Sequence, residues 1–127
     1  NLTHTIMSAP QSYLILARSS PYGSNMPKAA LDIALTAAAF EQEVAVVFLD
    51  DGVLQLLPNQ DTESSGLKNG SKMISALKVY EVQHVYIHLP SAEKSELDLS
   101  KVPDEIEAIT DELLQDLVSK SDHVMVF

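Results

Sequence analysis

The sequence predicts an α/β fold built around a mostly parallel sheet. Three observations carry that reading. Short apolar runs recur at Tyr13–Ala17, Val44–Leu49, His84–Leu89 and His123–Phe127, and runs without polar alternation mark strands covered on both faces. Segments with helical spacing separate them, as strand–helix–strand crossovers require. Turn clusters rich in Ser, Gly, Asp and Asn follow the first two runs, the composition of loops that leave a strand's carboxyl end.

Each element follows from its residues. Tyr13-Leu-Ile-Leu-Ala17 is the first strand and ends in Arg18 and the turn Ser19-Ser-Pro-Tyr-Gly-Ser-Asn25. A helix is expected over 27–42, with Ser24 or Asn25 to cap it and Pro27 in its first turn. Its many alanines suit close packing. Val44–Leu49 is the second strand, stopped by the turn Asp50-Asp-Gly52, after which Val53-Leu-Gln-Leu-Leu57 runs to Pro58. Polar residues 59–71 read as a loop long enough to serve as a lid or interaction surface. Met73, Ile74, Leu77 and Tyr80 space a helix over 73–81, and His84–Leu89 is a third strand ended by Pro90. The next segment has two readings. It is either one long helix from Pro103, or a short strand at 105–109 followed by a helix capped by Thr110 or Asp111. His123–Phe127 closes the chain as a strand.

Composition narrows the function. The 127 residues (13.9 kDa) suit one domain, expected over 12–127, with 1–11 disordered or a cloning remnant. Lys and Arg number 8 against 18 Asp and Glu, a net charge of −10. That balance argues against direct nucleic-acid binding or an anionic membrane surface, and suits a basic protein partner. No apolar run spans a bilayer. Cysteine is absent, which excludes disulfides, thiolate metal sites and a persulfide on this polypeptide, and favours the cytoplasm.

Open parallel sheets collect ligands at the strands' carboxyl ends. The turn carrying Ser19, Ser20, Gly23, Ser24 and Asn25 precedes a helix, so it could hold an anion or a phosphorylated ligand, though such a turn needs these residue types anyway. No G-x-G-x-x-G or Walker-type motif is present. His84 and His88, four apart on a strand, share a face but lie about 13 Å apart, too far for one metal; no metal site or cofactor is expected. His88 with Ser91 could support hydrolysis, yet no orienting carboxylate is identifiable, and a hydrogen-bonded structural histidine is the simpler reading. Asp50-Asp51-Gly52 reads as a turn, and the acidic stretch 104–116 as a solvated surface. No catalytic residue is assigned. Val53, Leu54, Leu56 and Leu57 exceed what a surface loop needs, so they are expected to contribute to a subunit interface, unless they fold down onto their own domain.

Two segments resemble a known family. Ser20-Pro-Tyr-Gly-Ser24, with Ala30–Leu35, and the stretch from Val44 to Gln60 containing Asp51-Gly-Val-Leu-Gln-Leu-Leu-Pro58, are similar to the TusC/DsrF branch of the DsrE/DsrF family. Leu77–Tyr80 and Asp122–Phe127 continue the likeness. The resemblance implies a three-layer α/β/α sandwich with a mainly parallel five-stranded sheet, which favours the short strand near Ile106. It implies membership of a sulfur-relay complex serving tRNA wobble-uridine 2-thiolation, with TusB/TusD-like partners. The alternative is DsrE/DsrH-like partners in intracellular sulfur oxidation. A hetero-oligomer is expected, a homo-oligomer being the other possibility. In the family the relay cysteine belongs to the TusD/DsrE subunit, at the carboxyl end of the third strand; the matching position here is His88. The chain is therefore expected to be a non-catalytic structural subunit, its acidity explained if tRNA contact falls to partners. His88 is expected at the sheet edge, partly exposed, with no carboxylate oriented against it.

Overall fold

The computed structural model describes residues 9–57, 70–82 and 84–127, with backbone alone at 70–74. Most of the predicted 59–71 loop, and the side chains of Met73 and Ile74, lie outside the described residues. Among the described residues five strands form one sheet: β1 (Ser12–Ala17), β2 (Glu43–Phe48), β3 (His84–His88), β4 (Glu107–Ile109) and β5 (His123–Val126). Their order is β4-β3-β2-β1-β5, and every pairing is parallel. The helices are α1 (Met26–Ala39), α2 (Gly70–Val79), α3 (Leu89–Lys94) and α4 (Asp111–Lys120), with 3₁₀ helices at Asp50–Leu56 and Leu99–Lys101.

Connectivity fixes the layers. From β1 to β4 the chain steps across the sheet in one direction, then returns from β4 to place β5 beside β1. Parallel crossovers are right-handed, so a reversal of direction puts the return helix on the opposite face. Ala30 and Ala34 of α1, Leu77 of α2 and Ala92 of α3 accordingly share a core with Ile15, Val46, Phe48 and Ile87 on one face. On the other face Leu114 and Leu117 of α4 pack over Leu14, Val47 and Ile109.

The two readings of the 103–120 segment resolve in favour of the short strand. Thr110 caps α4, its Oγ1 accepting from the Leu113 N–H at 3.3 Å, while Asp111 and Glu112 sit in the first turn and Lys120 in the last. Those charges match the helix dipole. Two predicted details differ. Pro90 does not simply end β3; it lies in the first turn of α3, where a missing N–H costs nothing. Tyr80, expected in the core, is exposed, because the helix ends at Val79 and Tyr80 caps it.

The Asp51–Leu57 stretch owes its residues to packing. A Cβ on Gly52 would lie 1.8 Å from the carbonyl oxygen of Ala17, so only glycine lets the 3₁₀ helix cross the end of β1. Val53 and Leu56 are 0% and 2% exposed, and the buried Gln55 donates from Nε2 to the Ser19 carbonyl at 2.8 Å. This corrects the expected interface. Val53 and Leu56 belong to the chain's own core, because the turn folds back over the sheet edge, and only Leu54 and Leu57 remain half-buried.

Candidate functional site

The loops leaving β1, β2 and β3 turn toward the α1 face, whereas the loop leaving β4 turns toward α4. Adjacent strands whose loops part in this way open a crevice at their carboxyl ends. Here the loops part between β3 and β4, and His88, the last residue of β3, stands at that boundary. Register pairs His88 with Ile109, so Asp111, two residues further on, begins α4 directly against the imidazole.

The geometry is a continuous hydrogen-bond chain. Nε2 of His88 lies 2.6 Å from Oδ1 of Asp111, and Nδ1 lies 2.6 Å from Oγ of Ser91. A carboxylate only accepts, so the hydrogen between His88 and Asp111 belongs to Nε2. Ser91 Oγ also accepts the backbone N–H of Asp50 at 2.8 Å, which leaves its own hydrogen free to point at Nδ1. The Asp50 carboxylate in turn accepts from Arg18 Nε at 2.7 Å. The network therefore ties together the carboxyl ends of β1, β2, β3 and β4.

Burial differs along this chain. The His88 side chain is 11% exposed and that of Asp111 is 69% exposed, while Ser91 is buried. Asp50 holds a left-handed backbone, φ 52°, a conformation that suits a short polar side chain at a turn. An open cleft of about 710 Å³ adjoins the network, lined by Arg18, Ser19, Asp50, Asp51, Ser91 and Lys94 among others.

The expectation of an unoriented His88 is corrected. The structure supplies a carboxylate, Asp111, twenty-three residues away in sequence, where only the crossover of α4 could bring it. A hydrogen-bonded histidine was legible; its partner was not. Chemically, the site can hold or move a proton between Nδ1 and Ser91. On the same face Tyr86 is raised above the usual phenol range, first by burial and then by the charge of Glu107.

The 19–25 turn is arranged differently. Ser20 Oγ accepts from the Tyr22 N–H and Ser24 Oγ from the Met26 N–H, both at 3.2 Å. These hydroxyls satisfy the turn and helix start, Gly23 supplies a φ of 81°, and Asn25 is the N-cap residue without a side-chain capping bond. Ser19 alone of the five lines the cleft. Among the described residues no group of three His, Cys, Asp or Glu side chains could hold a metal ion. No helix among them is long and apolar enough to cross a membrane.

Fold and site together define an all-parallel α/β domain with a histidine-centred network at its topological switch point. The DsrE/DsrF-like family profile matches residues 11–127, and the chain belongs to that family. The intracellular sulfur oxidation protein DsrF of Allochromatium vinosum is 36% identical, over 92% of this chain and 96% of that protein. A TusC homolog of Pseudomonas aeruginosa is 34% identical, over 91% of this chain and 97% of its own length. The ychN protein of E. coli superposes with a TM-score of 0.79 at 22% identity, covering 92% of this chain and 99% of that one, a likeness of fold.

Proposed function

We propose that this chain is a TusC-like, non-catalytic subunit of a cytoplasmic sulfur-relay complex serving tRNA wobble-uridine 2-thiolation. Its relatives' names, DsrF and TusC homolog, support a place in such a relay. The observation that carries the non-catalytic part is the absence of cysteine. Persulfide transfer needs a thiolate to accept the sulfane sulfur; an imidazole, a hydroxyl or a methionine thioether cannot replace it. His88 stands where the family resemblance puts the relay cysteine, so the sulfur would travel on TusB/TusD-like partners and this chain would support their assembly. Leu54 and Leu57 are proposed contributors to that contact.

The DsrF and TusC relatives lie at nearly equal identity, so intracellular sulfur oxidation is the alternative setting. Deleting the gene in its host and measuring wobble 2-thiouridine in tRNA hydrolysates separates them. Loss of the modified nucleoside, restored by the gene, is expected. Unchanged thiolation with impaired sulfur oxidation would move the chain to the DsrF role.

One observation favours a second reading: His88 is held on both nitrogens. An imidazole fixed by Asp111 could take the proton of a partner's thiol docked against this edge through the Ser91 hydroxyl, which would pass its own hydrogen to Nδ1 as it accepts the thiol's. In a reconstituted complex, His88→Gln should change the transfer rate less than about twofold if the role is structural. A loss approaching about 100-fold with assembly intact would establish the second reading.

A further inference from the structure

At the opposite end of the sheet, α1 and α2 terminate side by side in the same device. Each ends in a capping aromatic followed by a glutamate with a left-handed backbone. Phe40 precedes Glu41, at φ 62°, and Tyr80 precedes Glu81, at φ 63°. The backbone closes both ends identically: the N–H groups of Glu41 and Gln42 donate to Ala38 and Ala37, and those of Glu81 and Val82 to Lys78 and Leu77, at 2.9–3.0 Å. Glycine is the ordinary residue at such a cap.

Between the two caps lies a cleft of about 480 Å³, lined by Ala39, Glu41, Val44, Val79, Tyr80 and Glu81 among others. Val44 and Val82 form its buried floor, whereas Val79 and Tyr80 on its rim are 76% and 47% exposed. Phe40, the residue before Glu41 at the end of α1, is 73% exposed beside it, so folding gains little from burying these three. Among the described residues no cation pairs with Glu41 or Glu81.

We propose that this face docks a basic segment of another protein, in which lysines or arginines flank one or two large apolar side chains. Charge selects that occupant. The chain's net charge of −10 and the two glutamates at the cleft mouth oppose a second copy of the chain, which would bring the same charge to the same place. A basic side chain can lay its stem along Phe40 or Tyr80, meet the ring face with its cation, and reach the glutamate beside it. The partner's apolar residues fill the cleft against Val79. The surface lies at the amino ends of the strands, away from His88, and holds whether or not the relay role does.

A fluorescently labelled peptide of alternating lysine and leucine tests this, read by anisotropy and by amide chemical-shift mapping. Shifts should centre on residues 38–44 and 79–82. Glu41→Gln with Glu81→Gln should weaken binding about tenfold. Phe40→Ser with Val79→Ser, which leaves the charge unchanged, should weaken it comparably while circular dichroism stays native. Glu93→Gln with Glu112→Gln, removing equal charge from the helices that leave the carboxyl ends of β3 and β4, should change it less than about twofold. No binding, equal weakening by both charge pairs, or shifts centred elsewhere would overturn the proposal. So would self-association that Phe40→Ser abolishes, since the occupant would then be a second copy.

Discussion

Nε2 of His88 and Oδ1 of Asp111 lie 2.6 Å apart, joining the end of β3 to the start of α4. With Ser91 on its other nitrogen at 2.6 Å, the imidazole is a fixed strut between β3, α3 and α4. His88→Ala would leave the buried Ser91 hydroxyl without one of its partners, at a cost of about 1–3 kcal/mol. Asp111→Asn should cost less, about 0.5–1 kcal/mol, because that carboxylate is largely exposed. Urea denaturation of the two variants checks the order.

Gly52→Ala is expected to be the most damaging small substitution in the family-like Asp51–Pro58 stretch. Its Cβ would sit 1.8 Å from a backbone oxygen of β1, and the backbone cannot yield as a flexible side chain would. A loss of about 3 kcal/mol or more, or failure to fold, is expected by thermal denaturation. A loss below about 1 kcal/mol would show that the 3₁₀ helix can lift away from Ala17.

Glu96→Gly should stabilise the chain. Glu96 holds φ 56° at the end of α3, its N–H and that of Leu97 donating to Glu93 and Ala92. Relief of the left-handed strain, about 1–2 kcal/mol, outweighs the added freedom of the unfolded glycine, about 0.4–1 kcal/mol. A rise in melting temperature of a few degrees is expected.

Acid should weaken the seam between β1 and the loop before β5. Asp122 is held below the usual carboxylate range first by the Ser12 backbone N–H, then by the Ser12 hydroxyl. A depressed folded pKa stabilises above the unfolded value, about 4, and that stability is lost as pH falls through the folded value. Asp122→Asn should therefore be less stable than the parent at neutral pH, and the gap should shrink below about pH 4. A gap unchanged with pH would mean that the hydrogen bonds, not the charge, carry the effect.

The sequence made β1, β2 and β3 legible because each is buried enough to be apolar almost throughout; β5 is also apolar, although it is an edge strand and largely exposed. β4 was ambiguous for a physical reason: at three residues, with Glu107 exposed, it has no room to show a period. That ambiguity also hid Asp111. Only once β4 is a strand beside β3 does the residue after its cap arrive at His88, whereas a single long helix from Pro103 would carry it elsewhere. The apolar excess at Val53–Leu57 was visible, but a sequence does not tell an interface from a turn folded onto its own sheet. Gly52, whose reason is a close approach to Ala17, marks which it is. The glutamate caps left no signal, because glycine is the residue that announces such an end.

The central claim is that this chain joins a sulfur relay without carrying the sulfur. The most direct test reconstitutes it with cysteine-bearing paralogues from the same genome, loads the complex from a persulfide donor, and measures the intact mass of every subunit. The account predicts a stable complex, reducible added sulfur on a partner chain, and none on this one. A reducible gain of one sulfur mass on this chain, or its failure to enter any complex with those paralogues, would contradict the account.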